Sequence, residues 1–258
     1  MTVDDAERRV VESTSGSSRT NPSATQPSRD SASSGESRRS AAPPRPEGVY
    51  AQRTRIRKQE ILDSALVAFS QKGFYKASLA DVASAAGITA AGLLHHFKTK
   101  EALLVELLAQ RDLIDRQIAT TGRERPRGRA LLQHFVDTMA RNMTRPVTTQ
   151  MYAVLSAEGV TEGHPARQWF MDCYDGLRLA LSTALAEAGA DGDIATDLDA
   201  DATAAAIIAV MDGLQIQWLY DPESVDMATV THQVITALVH PTVPLEPAAA
   251  ATVAGLSR

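Results

Sequence analysis

The feature that most constrains the fold is a segment of 19 residues, Leu79 to Phe97, in which two short helices are predicted to meet at a tight turn. Ser78, followed three residues later by an acid, is typical of a helix N-terminus. Gly87 permits the turn, Ile88 fills the space between the helices, and Thr89 is placed to cap the second helix. This arrangement predicts a helix-turn-helix, whose second helix lies in the DNA major groove.

The second short helix has one face for the core and one for DNA, because successive residues are rotated by about 100°. Leu93 and Phe97 point to the core. The outward face is small and polar, so the backbone can approach DNA closely. The residues expected to contact DNA are Ser78, Leu79, Thr89, Ala90, Ala91, Gly92, Leu94, His95, His96, Lys98 and Lys100.

Two adjacent histidines stand near the end of this helix. His95 is the best candidate to contact a base edge, because a histidine ring can donate a hydrogen bond to guanine. Packing or helix capping is the alternative for both His95 and His96. Adjacent residues point to different faces of a helix, so the two rings make a poor metal pair, and no metal site is predicted.

The charge along the chain points to the same segment. The net charge of −5 argues against a protein coated with positive charge for nucleic acid. Residues 51–100, however, hold eight basic against three acidic side chains, a balance of +5. Residues 111–258 hold eleven basic against nineteen acidic side chains, a balance of −8. The basic region therefore coincides with the helix-turn-helix, as phosphate binding requires.

The sequence predicts an all-α fold. Aromatic residues are only 5% of the chain, and no alternating strand pattern or internal repeat is found. The first helix has apolar residues at helical spacing from Ile56 to Phe69 and ends at Gly73. Pro165 suits the first position of a later helix. After the helix-turn-helix, helices are expected at 99–116, 128–144, 147–159, 165–188, 201–219 and 227–239.

Residues 1–50 differ in kind from the rest. They contain 11 serines and 5 prolines but no leucine, isoleucine or phenylalanine, so they bury too little apolar surface to offset the lost chain entropy. We interpret them as a disordered arm; contact between its arginines and DNA phosphates is the alternative to a solvated tail. The boundaries that follow are a DNA-binding domain at 51–116, a body at 117–240 and a flexible tail at 241–258.

From about Arg55 to Arg111 the chain resembles the TetR family of transcriptional regulators. The matching stretches include Phe-Ser-Gln-Lys-Gly-Phe, Leu-Ala-Asp-Val-Ala-Ser-Ala-Ala-Gly-Ile-Thr and His-His-Phe-Lys-Thr-Lys-Glu-Ala-Leu-Leu, all in register. The resemblance implies a three-helix DNA-binding head and a fourth helix that links it to a larger helical body for ligand binding and dimerisation. It also implies release from DNA by a small molecule.

Two positions depart from the family pattern. The recognition helix often has a basic residue where this chain has Ala90, and a tyrosine that usually touches phosphate where it has Leu94. Leu94 cannot make that hydrogen bond. Phosphate contact would then depend on Lys98, Lys100, the Thr89 hydroxyl and the N-terminal amides of the helix that follows Ser78.

The helices between residues 128 and 188 would enclose the effector pocket that the resemblance implies. Methionine and aromatic residues lie in the core more often than they line a ligand pocket. Their soft side chains nevertheless suit an apolar or aromatic ligand. Arg178 or Glu158, if buried there, would orient a charged group. The candidate lining residues are Phe135, Met139, Met143, Met151, Tyr152, Trp169, Phe170, Tyr174 and Arg178.

The last two predicted helices each have an apolar stripe at helical spacing. The resemblance suggests that they pair with their copies in a second chain, which predicts a homodimer and a roughly palindromic operator. An ordinary intrachain core is the alternative. The stripe residues are Ile207, Met211, Leu214 and Trp218 in one helix and Val230, Val234 and Leu238 in the other.

No catalytic constellation is present, so neither an enzyme nor a cofactor is predicted. The chain has no Gly-x-Ser-x-Gly elbow, no phosphate-cradling glycine loop and no His-Glu-x-x-His. Asp197, Asp199 and Asp201 imitate the start of a calcium loop, but Ala202 stands where glycine is needed, so we interpret the run as favourable charge at a helix start. The one cysteine, Cys173, excludes an internal disulfide, and we expect a small buried hydrophobe.

No segment reaches the roughly 18 apolar residues that a membrane span needs, and the N-terminus lacks a secretory apolar block, so a cytoplasmic location is expected. The sequence thus predicts a ligand-responsive regulator, a repressor that binds a double-stranded operator and is released by a small molecule. The alternative is a helical sensor or interaction protein that has lost sequence-specific DNA binding, as Ala90 and Leu94 suggest.

Overall fold

The computed structural model describes residues 47–120 and 126–239, which are helical and contain no strand. The all-α prediction is therefore confirmed. The predicted arm at 1–50 and the tail at 241–258 lie outside these residues, except that the first helix already begins at Glu47. The helices are α1 (Glu47–Lys76), α2 (Leu79–Ala85), α3 (Ala90–His96), α4 (Lys100–Thr120), α5 (Gly128–Met143), α6 (Pro146–Gly159), α7 (Arg167–Ala190), α8 (Ala200–Tyr220) and α9 (Met227–Val239).

Proline and glycine set several of these boundaries. Gly73 breaks α1 one turn before its end, with φ at 68°, a conformation that favours glycine, as expected of a helix-ending residue. Pro146 occupies the first turn of α6. The prediction for Pro165 is wrong: α7 begins at Arg167 after Ala166, and the proline lies in the preceding turn.

The described chain divides into two compact units, one up to Gln59 and one from Glu60 onward. The second unit holds the helix-turn-helix and all later helices, so the division predicted at residue 116 does not separate compact units. It falls inside α4, which continues to Thr120. From here on, the head means residues 60–99, which contain the end of α1 with α2 and α3, and the body means residues 126–239, which contain α5 to α9.

The core of the body is formed where α5, α7, α8 and α9 pack together. Its fully buried members include Leu132, Met139, Leu181, Ile207 and Ile235. Helix α8 is long and apolar enough to cross a membrane by length and composition alone, contrary to the sequence expectation. Its buried face belongs to this core, which is what the central helix of a globular body requires.

Candidate nucleic-acid interface and effector site

Helix α3 is held by a cap at its start and by two buried side chains. The Thr89 hydroxyl oxygen accepts the N–H of Gly92 at 3.1 Å, which is N-terminal capping. Leu93 is 0% exposed and Phe97 is 4% exposed, so both anchor the helix as predicted. The opposite face is therefore turned to solvent, and it carries Ala90, Ala91, Leu94 and His95.

The turn before α3 depends on one glycine. Gly87 has φ of 65°, and the next residue, Ile88, donates its N–H to the carbonyl of Ala83 at 2.9 Å. This pattern closes the C-terminal end of α2 and reverses the chain within three residues. The short helices α2 and α3 are thus joined as a helix-turn-helix requires.

Helix α2 begins with reciprocal hydrogen bonds between a serine and an aspartate. The Ser78 hydroxyl oxygen accepts the N–H of Asp81 at 3.0 Å, and the Asp81 carboxylate accepts the N–H of Ser78 at 3.1 Å. Lys72 also lies 3.0 Å from that carboxylate. Its hydrogen bond, followed by those from Ser78, lowers the pKa of Asp81. Both charged side chains are largely exposed, so this pair adds little stability, but it keeps Asp81 charged as the cap.

Some of the basic side chains near α3 are exposed to solvent, and another is hydrogen-bonded to backbone carbonyls. His95 and Lys98 are exposed, whereas His96 is half-buried, with its ring centroid 5.6 Å from that of His95. Lys100 differs from the prediction. Its ammonium donates to the carbonyl oxygens of Phe74 at 2.8 Å and Ala77 at 3.0 Å. These bonds hold the ammonium against the protein's own backbone, whereas a phosphate contact was predicted for it.

The two departures from the family pattern both lie on the exposed face of α3. Ala90 stands in the first turn, and Leu94 is 43% exposed. Neither side chain donates a hydrogen bond, so at these positions the helix offers DNA only van der Waals contact. Such small or apolar contacts suit a thymine methyl group.

In the body, four of the predicted lining residues form one aromatic cluster between α6 and α7. Phe170 lies at its centre, with ring centroids 5.3 Å from Tyr152, 4.8 Å from Trp169 and 6.5 Å from Tyr174. Tyr152 and Phe170 are buried, whereas Trp169 and Tyr174 are half-buried. The structure therefore brings this part of the prediction together.

The remaining predicted lining residues are placed differently. Phe135 and Met139 are buried in the core of the body, with Met143 packed against it, and Met151 is also buried. These methionines fill the interior of the protein, which is the alternative to a ligand-lining position. Arg178 departs from the prediction, because it is half exposed and pairs with Asp175 one turn away on α7. It therefore points to solvent and does not line a pocket.

A half-buried acid that was not predicted lies beside the aromatic cluster. The Tyr174 hydroxyl donates to the Asp212 carboxylate at 2.7 Å. Burial raises the pKa of Asp212, which the Tyr174 hydrogen bond and the charge of Arg111 counteract. Burial also raises the pKa values of Tyr152 and Tyr174 well above the ordinary value, so both hydroxyls keep their protons. One signal was available: Asp212 is the only charged residue between positions 202 and 220.

The guanidinium of Arg111, on α4, lies 4.3 Å from the centroid of the Tyr152 ring. A cation over an aromatic face is attracted by the ring quadrupole. The aromatic cluster therefore combines four rings with one half-buried acid and one cation beside it.

Comparisons with known proteins agree with this arrangement of head and body. Residues 61–107 match the family described as "Bacterial regulatory proteins, tetR family", and residues 126–242 match "BetI-type transcriptional repressor, C-terminal". The HTH-type transcriptional regulator TtgR of Pseudomonas putida is 32% identical over 186 residues, which cover 69% of this chain and 85% of TtgR. The chain belongs to the TetR family of transcriptional regulators.

Two further matches have lower identity. The HTH-type transcriptional regulator AcrR of Shigella flexneri is 28% identical over 188 residues, covering 69% of this chain and 83% of AcrR. The fold matches the crystal structure of the transcriptional regulator FadR from Bacillus subtilis in complex with stearoyl-CoA, with a TM-score of 0.59 and 18% identity over 70% of this chain and 97% of that one. The resemblance seen in the sequence is confirmed, and the chain is a DNA-binding transcriptional regulator.

In this TetR-family chain, the apolar stripe of α8 lies inside its own protomer. Ile207, Met211, Leu214 and Trp218 are all buried in the core of the body, so the intrachain alternative accounts for them. The predicted stripe of α9, formed by Val230, Val234 and Leu238, is half-buried. Among the described residues, the large apolar side chains that α7 and α8 leave most exposed are Leu179 and Tyr220, at 69% and 88%, followed by Ile216 and Met171.

The acidic run before α8 contributes a helix cap, and the cysteine is a free thiol within a helix. The Asp199 carboxylate accepts the N–H of Ala202 at 3.0 Å and caps α8, in agreement with the interpretation of the run as a helix start. Cys173 is half-buried in α7. The described part of the chain holds no group of three His, Cys, Asp or Glu residues that could bind a metal ion.

Proposed function

We propose that this TetR-family regulator is a cytoplasmic repressor that binds a roughly palindromic operator as a homodimer and leaves it when a small molecule binds the body. The observation that carries the proposal is the exposed face of α3. A capped helix that buries Leu93 and presents Ala90, Ala91 and His95 to solvent can enter the major groove without steric hindrance from its own side chains.

Within the head, His95 and Lys98 have different proposed roles. His95 is exposed on α3, where its ring can donate to a base edge. Lys98 is exposed just after α3, where its charge can neutralise a phosphate. The Thr89 oxygen accepts an N–H as the cap, which leaves its hydroxyl hydrogen free to donate to a phosphate oxygen.

The proposed dimer uses the surface that α8 and α9 leave uncovered. Because Trp218 and its stripe are buried within one chain, the partner is expected to pack on Ile216 and Tyr220 together with the half-buried stripe of α9. Tyr220→Glu should convert dimers to monomers in light scattering, because it places a charge in an apolar contact. Gln150→Glu, an exposed change on α6 outside the proposed surface, is the matched control, and an unchanged mass for Tyr220→Glu would reject this surface.

The proposed effector site is the aromatic cluster of Tyr152, Trp169, Phe170 and Tyr174. Its rings suit an apolar or aromatic molecule, and the Tyr174–Asp212 pair offers one hydrogen-bonding point. Tyr152 belongs to α6, whose C-terminal end contacts the head, so binding there is well placed to affect DNA affinity.

The roles of the DNA-facing residues are tested by titrating variants with duplexes from the region upstream of the chain's own gene. Lys98→Ala should weaken binding to all sequences alike and reduce the salt slope by about one phosphate contact. His95→Ala should instead relax the preference at one base pair, worth about 1–3 kcal/mol. An equal, sequence-independent loss of DNA affinity in both variants would contradict these roles. Unchanged affinity in both variants would contradict them too.

A further inference from the structure

The C-terminal end of α6 is bonded directly to the turn that ends α1. The Glu158 carboxylate accepts the N–H of Phe74 at 2.7 Å. The carboxylate lies so close to Gly73 that a Cβ atom at this position would overlap it. A hydrogen bond from an N–H to a charged carboxylate is stronger than a neutral one. Glycine is therefore needed at position 73 for two reasons: its positive φ and the approach of Glu158.

A buried histidine stands beside the same carboxylate oxygen. His164 Nδ1 accepts the N–H of Ala166 at 3.1 Å, so the neutral ring carries its proton on Nε2. That nitrogen is 3.6 Å from Glu158 Oε2, which is beyond hydrogen-bonding distance, and it has no hydrogen-bond partner. The side chain of His164 is fully buried. An unsatisfied buried donor is costly, and the carboxylate position that bonds the Phe74 N–H leaves this nitrogen outside hydrogen-bonding range.

The turn between Gly73 and Ala77 is also held by a lysine of α4. Lys100, at the start of α4, binds the carbonyl oxygens of Phe74 and Ala77 and lies 4.3 Å from the centroid of the Phe74 ring. The Phe74 ring contacts the His164 ring edge-on, with centroids 5.4 Å apart. The turn therefore rests on α4 through its carbonyls and on α6 through the Phe74 N–H.

Helix α6 connects this turn to the aromatic cluster of the body. Tyr152, in the cluster, precedes Glu158 by six residues, which is about 9 Å along an α-helix. The stretch between them is continuous helix. A shift of α6 at Tyr152 therefore moves the Glu158 carboxylate relative to the head.

We propose that Glu158 is a switchable latch between body and head. In this structure its carboxylate holds the Phe74 N–H; when α6 moves, the carboxylate exchanges that partner for the Nε2–H of His164. The half-buried carboxylate is hydrogen-bonded in both arrangements, so the exchange does not leave it unpaired. The use of the latch in effector response rests on the proposed function, whereas the exchange of partners does not.

Amide hydrogen exchange at Phe74, followed by NMR in the full chain, tests the first arrangement. Glu158→Ala should accelerate exchange by about tenfold or more, because it removes a charge-assisted bond. Glu158→Gln, which keeps an acceptor oxygen at the same place, should give a smaller acceleration and serves if the alanine variant does not fold. Glu162→Ala, an exposed acid four residues away, is the charge-matched control and should leave the rate unchanged. Equal rates in wild type and both Glu158 variants would overturn the latch.

The alternative partner is tested by two substitutions that remove the same ring. His164→Asn keeps a polar atom at the Nδ1 position but has none at Nε2, whereas His164→Gln can keep a donor near Nε2. If His164 competes for the carboxylate, the Phe74 amide should exchange at least about threefold more slowly in His164→Asn than in His164→Gln, since only the second retains the competing donor. Equal rates, or the reverse order, would overturn the exchange of partners.

These exchange rates are measured without DNA. The latch and the proposed function can therefore be rejected independently of each other. Titration of Glu158→Ala with the upstream duplex adds the functional readout. A wild type that binds no specific sequence would reject the proposed function and leave the Phe74 rates to decide the latch. Specific binding together with unchanged Phe74 rates would reject the latch alone.

Discussion

The head and the body of this regulator present their functional groups in opposite ways. In the head, two seven-residue helices begin at side-chain caps, and the proposed DNA contacts lie on the outside, with Leu93 behind them. In the body, helices of up to 24 residues enclose the groups of interest, and the Tyr174–Asp212 pair joins positions 38 residues apart. Short-range chemistry therefore determines the head, whereas the packing of distant segments determines the site in the body.

The largest effect is expected where the head depends on one buried side chain. Leu93 and Leu94 are neighbours, but Leu93 is fully buried and Leu94 is 43% exposed. Leu93→Ala should lower the free energy of unfolding by about 2–5 kcal/mol, because it leaves a cavity behind α3. Leu94→Ala should change it by less than about 0.5 kcal/mol. Urea denaturation followed by circular dichroism measures both; equal losses would show that the inner and outer faces of α3 are misassigned.

In the body, the half-buried Tyr174–Asp212 pair is expected to respond with opposite signs to substitution of its two members. Tyr174→Phe should destabilise the fold by about 1–3 kcal/mol, because it removes a donor from a half-buried carboxylate. Asp212→Asn keeps an acceptor for the tyrosine and removes the half-buried charge. It should therefore be neutral or stabilising at neutral pH.

The pH dependence of Asp212 follows from its raised pKa. The folded state holds a proton that the unfolded chain has already lost, so this group's contribution to stability falls as pH rises from the ordinary value of 3.8 through the folded pKa. Asp212→Asn should remove this fall from the unfolding curves measured across that range. A variant with the same pH dependence as the wild type would contradict the burial of the charge.

The cap of α3 should have a smaller effect, because it involves one local hydrogen bond. Thr89→Ala should cost about 0.5–2 kcal/mol, and Thr89→Ser should restore most of it, since serine keeps the capping oxygen. Thermal melts of the three proteins check the stability. A serine variant as weak as the alanine variant would mean that the threonine methyl group, and not the Gly92 N–H bond, supports the helix.

The smallest expected effect is a pH dependence at the junction of head and body. Burial lowers the pKa of His164, while the charge of Glu158 acts in the opposite direction. Below the ordinary value of 6.5 the unfolded chain takes up a proton that the folded state does not, so this group's contribution to stability falls as pH drops toward the folded pKa. The decrease between pH 7 and 5.5 should be smaller in His164→Asn than in wild type. An equal decrease in both would assign it to other groups.

The features that could be predicted from the sequence follow the same contrast between head and body. The capping residues, the turn at Gly87 and the buried Leu93 were all predictable, because each depends on neighbours within five positions. The occupied ammonium of Lys100 was not predictable, because its carbonyl partners lie 23 to 26 residues earlier.

In the body, helical periodicity identified apolar faces but not what covers them. The stripe that includes Trp218 has the same spacing whether it faces a second chain or its own core, and in the structure it faces the core. Glu158 was considered as a ligand group, yet its carboxylate binds the Phe74 N–H, 84 positions away. Such pairings depend on how the helices pack, which local sequence patterns do not encode.

The most direct test of the proposed function is DNA binding by the wild-type chain. Fluorescence anisotropy with a labelled duplex from the region upstream of its own gene, beside a scrambled duplex of equal length, measures specificity at several salt concentrations. We expect saturable, preferential binding to the upstream duplex, with log K falling by about 0.9 per phosphate contact for each tenfold rise in salt. Equal affinity for both duplexes at every salt concentration would contradict sequence-specific binding by the exposed face of α3.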